Sequence, residues 1–270
     1  MSLLILSEEN DLEEKFQPHF ERVEHRKLSQ TRVNLIDEEN VLVDGMDAKS
    51  FDSLLVITEK DIVIYLRALL EMVEKNVRSN LDSLSAYILT KKQYLYKVLN
   101  EKNVNTPNAV SLGSKKGLKG MTSLDYPVVA RKYTGFIKKD SNLLENKEEA
   151  ENFMGSLDYG KESVILQELA YGEVFDCLVI GDEVISIKMT DEGRWDLQEG
   201  ECNEKYHKAP SDIKDLVQKA RLSIGAKVCR VKVVGNKVVN MYSRPHLDRF
   251  KNISGKDVYR KTAELLKGEE

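Results

Sequence analysis

Cysteine is scarce in this chain, with three among 270 residues: Cys177, Cys202 and Cys229. The count is odd and no pair has CxxC spacing, which excludes a disulfide framework and a zinc or redox motif and points to idle thiols in a reducing compartment. His19, His25, His207 and His246 share no metal-ligand spacing, and no serine stands in a nucleophile-elbow pattern. A strong charge of either sign is also missing. A net charge of −4 leaves no general basic footprint and excludes a general nucleic-acid binder. No segment approaches the ~20 apolar residues that span a bilayer. The short apolar run in Met1–Leu6 lacks the basic lead and length of a signal peptide and reads as a buried strand, so a cytoplasmic location and no membrane partner are expected.

What is present describes an ordinary folded protein, 41% hydrophobic and 32% charged, with no repeat and no long polar linker. Residues 3–6 predict a strand, and Glu8 to Phe16 a short helix ending before Pro18. Val33–Ile36 and Val41–Val43 predict a hairpin around Asp37–Asn40, and Leu54–Ile57 a further strand. From Asp61, a candidate N-cap, to Lys75, the spacing of Leu66, Leu69, Leu70 and Val73 has the helix period. Ser83 or Ser85 can cap a second helix reaching about Asn100. Strand Pro127–Lys132, a helix opened by Asn146, apolar Ser163–Ala170, hairpin Phe175–Met189 and helix Asp212–Ser223 follow. The last hairpin sets two β-branched runs, from Lys227 and to Pro245, around Gly235-Asn236, and a helix from Lys256 to Lys267 ends the chain. The order predicts an open α/β layer followed by two α+β lobes.

From about Leu54 onward, several strings in order resemble the RimK-like branch of the ATP-grasp superfamily. They are Arg67-Ala-Leu-Leu-Glu, Asn80, Lys92 and Leu99, Val104-Asn-Thr-Pro107, Ile165-Leu-Gln-Glu-Leu169, and Ser243, Pro245 and Leu247 with Gly255, Asp257 and Val258. The resemblance implies an ATP-grasp fold: an N-terminal Rossmann-like layer (1–85), lobe A (86–162) and lobe B (163–270). It also implies ATP as the ligand. Lys92 and Arg131 correspond to phosphate-binding lysines, and Gln167, Glu168 and Leu169 to the hinge whose backbone holds adenine. Arg presents a planar fork where the family has lysine, and Lys132, next along the strand, points to the opposite face.

Other positions depart from the family. Its phosphate-covering loop is glycine-rich, whereas Tyr133–Ser141 has only Gly135, with Lys138 and Lys139 as alternative charges. An Asp and an Arg two residues apart become Val174 and Asp176; an Arg and an Asn become Asp196 and Gln198, beside Arg194 and Trp195. The metal-ligating Asp, Glu and Asn become Lys232, Asn240 and Tyr242, a set that argues against Mg²⁺. A two-residue turn at Gly235-Asn236 sets Lys232 opposite Val239, and a three-residue turn sets it opposite Asn240. Arg244, His246 and Arg249 form a basic cluster by the cleft, either an anion contact or a charged loop.

Three readings follow. The resemblance implies an ATP-dependent carboxylate–amine ligase, taking a carboxylate or amino-acid substrate through an acyl phosphate, with metal ligands lost and no assigned catalytic residue. The residue chemistry points to a non-catalytic ATP-grasp pseudoenzyme that binds a nucleotide or a partner. A small-molecule kinase on the same fold is the third, and homo-oligomerisation is left open.

Overall fold

The structure, a computed structural model, describes residues 1–30, 32–34, 41–58, 63–113, 115–120, 124–134, 137–158, 162–191 and 201–269. Side chains are described over the same ranges apart from 63–65, 115, 119–120, 134 and 137–140.

The N-terminal layer is a parallel sheet. Strands β1 (Ser2–Ser7) and β2 (Arg22–Arg26) flank helix α1 (Leu12–Phe16); a small ribbon of β3 (Val33–Asn34), β4 (Leu42–Val43) and β5 (Met46–Asp47) precedes β6 (Ser53–Ile57), α2 (Val63–Val73) and β7 (Arg78–Ser79). The sheet order is β2-β1-β6-β7. Residues 3–6 of β1 and 54–57 of β6 are unbroken apolar runs because both faces of these strands are buried. Leu4, Leu6, Leu54 and Val56 enter one core, while Leu3, Ile5, Leu55 and Ile57 enter another. The helix expected from Glu8 begins instead at Leu12, because Asp11 takes a left-handed conformation at φ 61° and breaks the chain there. The Asp61 cap and the Asp37–Asn40 turn lie outside the described residues.

Lobe A follows: α3 (Ser83–Thr90), α4 (Lys92–Glu101), β8 (Ala109–Leu112), β9 (Val128–Thr134), β10 (Ile137–Leu144), α5 (Lys147–Gly155) and β11 (Glu162–Glu168). The single helix expected to reach Asn100 is two. Lys91 is extended at ψ 93°; its N–H closes the first helix on Ile88 and its carbonyl opens the second with Leu95. The first is capped by Asp82, whose carboxylate accepts from the Ser85 N–H, rather than by either serine. Asn146 caps α5, as its sequence position predicts. The sheet is antiparallel in the order β10-β9-β11-β8, so β11 joins the strands before it and extends this sheet past residue 162.

Lobe B comprises β12 (Val174–Ile180), β13 (Glu183–Thr190), β14 (Asn203–Tyr206), α6 (Ser211–Ile224), β15 (Val228–Val234), β16 (Lys237–Tyr242), α7 (Leu247–Ser254) and α8 (Val258–Lys267). The antiparallel order is β14-β13-β12-β15-β16. Alternation divides its faces. Phe175, Cys177, Val179, Cys229, Val231 and Val233 pack towards α3, α4 and α6, while Leu178, Ile180, Ile185, Ile187 and Val228 pack towards β1, β6, α7 and α8. This second face turns polar at the end of the sheet where the sequence placed the site. No described helix is long and apolar enough to cross a membrane.

Candidate functional site

Three elements meet at the site: α4, the middle of the lobe A sheet, and the β15–β16 hairpin. Lys92 and Tyr96 lie one turn apart on α4 and share a face, with the ammonium 4.8 Å from the ring centroid. Both reach β16. Lys92 Nζ donates to the Val239 carbonyl at 2.6 Å and to Asn240 Oδ1 at 3.2 Å, and the Tyr96 hydroxyl lies 3.0 Å from the same carbonyl.

A β-bulge presents that carbonyl. The turn at Gly235-Asn236 has two residues, with Val234 opposite Lys237 and Val233 opposite Val238, yet Lys232 stands opposite Asn240. Val239 is the extra residue, and a bulge frees its backbone from the ladder to face α4. Neither regular loop expected from the sequence is present: the short turn occurs with the register of the longer one.

On the lobe A sheet, Arg131, Ile165, Gln167 and Val129 occupy one face, since Arg131 pairs with Ile165 and Gln167 with Val129. Gln167 is buried at 2% exposure, and its Oε1 accepts from the Tyr96 hydroxyl at 2.5 Å. Burial pushes the Tyr96 hydroxyl far above the ordinary tyrosine range, with Arg131, Tyr133 and Tyr242 near enough to act on it. Tyr133 is pushed by burial up to about 12. Both therefore stay protonated donors. Arg131 Nε is buried without a hydrogen-bond partner among the described residues, an orphaned donor beside α4. Lys132 does face the other way, where it pairs with Glu162 at 2.9 Å.

Glu168 and Leu169 begin the crossing to lobe B. The Glu168 carboxylate pairs with Lys237 at 2.5 Å and accepts from the Asn108 N–H at 3.2 Å; the Lys237 hydrogen bond holds it below the ordinary glutamate range. Past it, Gly172 (φ 123°) and Gly235 (φ 57°) meet backbone to backbone. A Cβ on Gly172 would stand 2.7 Å from Gly235 Cα, and one on Gly235 would stand 2.4 Å from the Tyr171 carbonyl oxygen. Leu169 is 9% exposed.

The positions where metal ligands were sought share one face of lobe B. Lys232 pairs with Asn240, Arg230 with Tyr242, and Asp176 on β12 with Lys232. The Arg230 guanidinium stacks 4.2 Å from the Tyr242 ring. Asp176 is 3% exposed; its Oδ2 accepts from Arg249 at 2.6 Å and its Oδ1 lies 3.7 Å from Arg230 Nε. Arg249 also grips Glu204 through two nitrogens, at 2.9 and 3.0 Å. Among the described residues no group of three His, Cys, Asp or Glu is placed to hold a metal ion.

The basic cluster by the cleft is therefore engaged internally. Arg249 serves Asp176 and Glu204, and Arg244 pairs with Glu9 at 2.6 Å; both line a 450 Å³ cavity with Glu8, Lys15 and His246. Gly135, Arg194, Trp195, Asp196 and Gln198 lie outside the described residues, and the side chains of Lys138 and Lys139 lie outside those described. Sequence reasoning missed Tyr96, Arg230 and the Val239 bulge. The four-residue spacing from Lys92 to Tyr96 was the available signal for the first.

A parallel α/β layer followed by two antiparallel lobes that meet around a hinge strand is the ATP-grasp fold. Structural comparison agrees over nearly the whole chain. The ATP-grasp ligase PsnB in complex with minimal precursor, Mg and ADP is similar at TM-score 0.74 and 14% identity, covering 99% of this chain and 96% of that one. A RimK domain ATP-grasp protein from Sphaerobacter thermophilus is similar at 0.71 and 15% identity, covering 98% and 99%. The macrocyclase MdnC of Microcystis aeruginosa, bound with precursor peptide MdnA, is similar at 0.73 and 11% identity, covering 98% and 99%. No protein-family model and no curated protein matches the chain.

ATP and Mg²⁺ are implied by this fold, and they fare differently against the residues present. An orphaned buried guanidinium nitrogen at Arg131 suits a phosphate oxygen. Mg²⁺ does not suit its site: it asks for several oxygen ligands in near-octahedral array, and an ammonium, a guanidinium and a phenol stand there with one amide and one carboxylate, Asp176, that Arg249 already holds.

Proposed function

We propose that this chain is a non-catalytic ATP-grasp protein that binds a nucleotide between its lobes and does not carry out Mg²⁺-dependent acyl or phosphoryl transfer. One observation carries this reading. Lys232 occupies the face where a metal-ligating carboxylate would be needed, and the carboxylate across the strand pair from it, Asp176, is engaged by Arg249 at 2.6 Å. In this reading the backbone from Gln167 to Leu169 holds the base, and Lys92 and Arg131 face the phosphates. Tyr96 holds the Gln167 amide and so keeps the base contacts in register with β16. Bound ATP would bring the phosphates whose charge these cations offset. Three free thiols support a reducing, cytoplasmic setting.

The ligase reading retains one favouring observation: Lys92 and the hinge occupy one connected site on a fold shared with ligases. Such an enzyme would take a carboxylate and an amino acid. A kinase on this fold would need the same phosphate and metal equipment. The deciding experiment combines binding of a non-hydrolysable ATP analogue with ADP release measured in Mg²⁺ across carboxylate and amine donors. Binding without turnover is expected. Turnover that depends on an amine acceptor would establish the ligase instead.

A further inference from the structure

We infer that the cleft takes a metal-free polyphosphate anion, with protein cations standing where a metal ion would stand, so that Mg²⁺ opposes binding. The inference rests on the nucleotide reading above and adds to it the ionic form of the ligand.

Charge and connectivity carry it. Lys232 sits between Asp176 on one neighbouring strand and Asn240 on the other. Asn240 in turn accepts from Lys92, and Lys92 lies against Tyr96, whose hydroxyl is within the influence of Arg131. Arg230 and Arg249 flank the same face through Asp176. Among the described residues, five cations thus stand along one connected surface with the carboxylates Asp176 and Glu204. The cations are fixed by strands, a helix and stacked rings before any ligand arrives.

A nucleoside triphosphate without metal presents its full negative charge to such a surface. Chelation by Mg²⁺ removes two of those charges and adds a hydrated dication that needs oxygen ligands. Lys232 repels that dication and offers it no lone pair. Metal binding to the free nucleotide therefore competes with the protein. In enzymes that work through Mg²⁺ the metal bridges the phosphates to carboxylates, and here Asp176, across the strand pair from Lys232, is already paired with Arg249.

The test is calorimetric titration of the full chain with ATP, once in EDTA and once in excess Mg²⁺, and then with inorganic tripolyphosphate in the same two conditions. Binding at least about tenfold tighter in EDTA is expected for both ligands, with a preference that shrinks as salt rises. In Lys232→Met, which keeps the side chain's length, the preference should narrow while the melting temperature reports that the fold is intact. Equal or tighter binding of ATP in Mg²⁺ would overturn the inference and leave the nucleotide reading standing. Absence of ATP binding in both conditions would overturn both.

Discussion

Asp176 and Lys232 stand directly opposite each other on β12 and β15, so two departures from the ligase pattern are one structural event. By the resemblance alone, Asp176 corresponds to an arginine of the family and Lys232 to a metal-binding aspartate. On that correspondence either change by itself would set like charges across the ladder, at a cost, whereas the two together keep opposite charges facing.

Restoring the acidic set should restore metal affinity. Lys232→Asp with Asn240→Glu would set two carboxylates beside Asp176. We expect the variant to gain Mg²⁺ affinity by calorimetry, to melt lower than wild type without metal, and to recover on adding it. An unchanged Mg²⁺ response would show that this hairpin is not the counterpart of the ligase metal site.

Removing the cation that holds Asp176 should be costly. Arg249→Met leaves a carboxylate that is 3% exposed without its 2.6 Å partner. Loss of one member of a buried pair costs about 3–5 kcal/mol, read by denaturant unfolding. The double variant Asp176→Asn, Arg249→Met should recover part of that loss.

Tyr96→Phe removes the donor that Gln167 Oε1 accepts from at 2.5 Å and leaves a buried amide oxygen short of a partner. A loss of about 1–3 kcal/mol in unfolding free energy is expected. Nucleotide affinity should fall with it. Loss of stability with affinity unchanged would separate Tyr96 from the base contacts.

Glu168 contributes a pH-dependent term. Its folded-state pKa is lowered, chiefly by Lys237, so its contribution is complete above the ordinary glutamate value of about 4.3 and is lost as pH falls through the lower folded value. The stability difference between wild type and Glu168→Gln should be flat above about pH 5 and shrink below about pH 4. A difference that grew on acidification would contradict the assignment.

Much of the fold was legible in local pattern. The apolar runs on either side of Gly181-Asp182 marked the Phe175–Met189 hairpin, and Asn146 marked its helix start, because both signals are read within a few residues. β2, with sequence Arg-Val-Glu-His-Arg, was not legible: it lies at the sheet edge, where charged residues are tolerated and alternation says little. The break at Lys91 has no proline or glycine to announce it. At the site, Lys92, Arg131 and Gln167 were singled out through resemblance alone, and the bulge that meets Lys92 and Tyr96 was not legible. A bulge is a mismatch between two strands, and neither strand records it alone. The Asp176–Arg249 pair spans 73 residues of sequence, beyond any local signal.

The bare contact between Gly172 and Gly235 has a mechanical consequence. The Gly235 N–H donates to the Glu173 carbonyl at 2.9 Å and Val174 pairs with Val234, so the glycine contact closes the end of the β12–β15 ladder beside the Glu168–Lys237 ion pair. A methyl group placed there, as in Gly172→Ala, would act as a wedge, and φ 123° at Gly172 would strain any L side chain as well. It would push the hairpin tip off the strand beside it while leaving every charged residue in the chain unaltered.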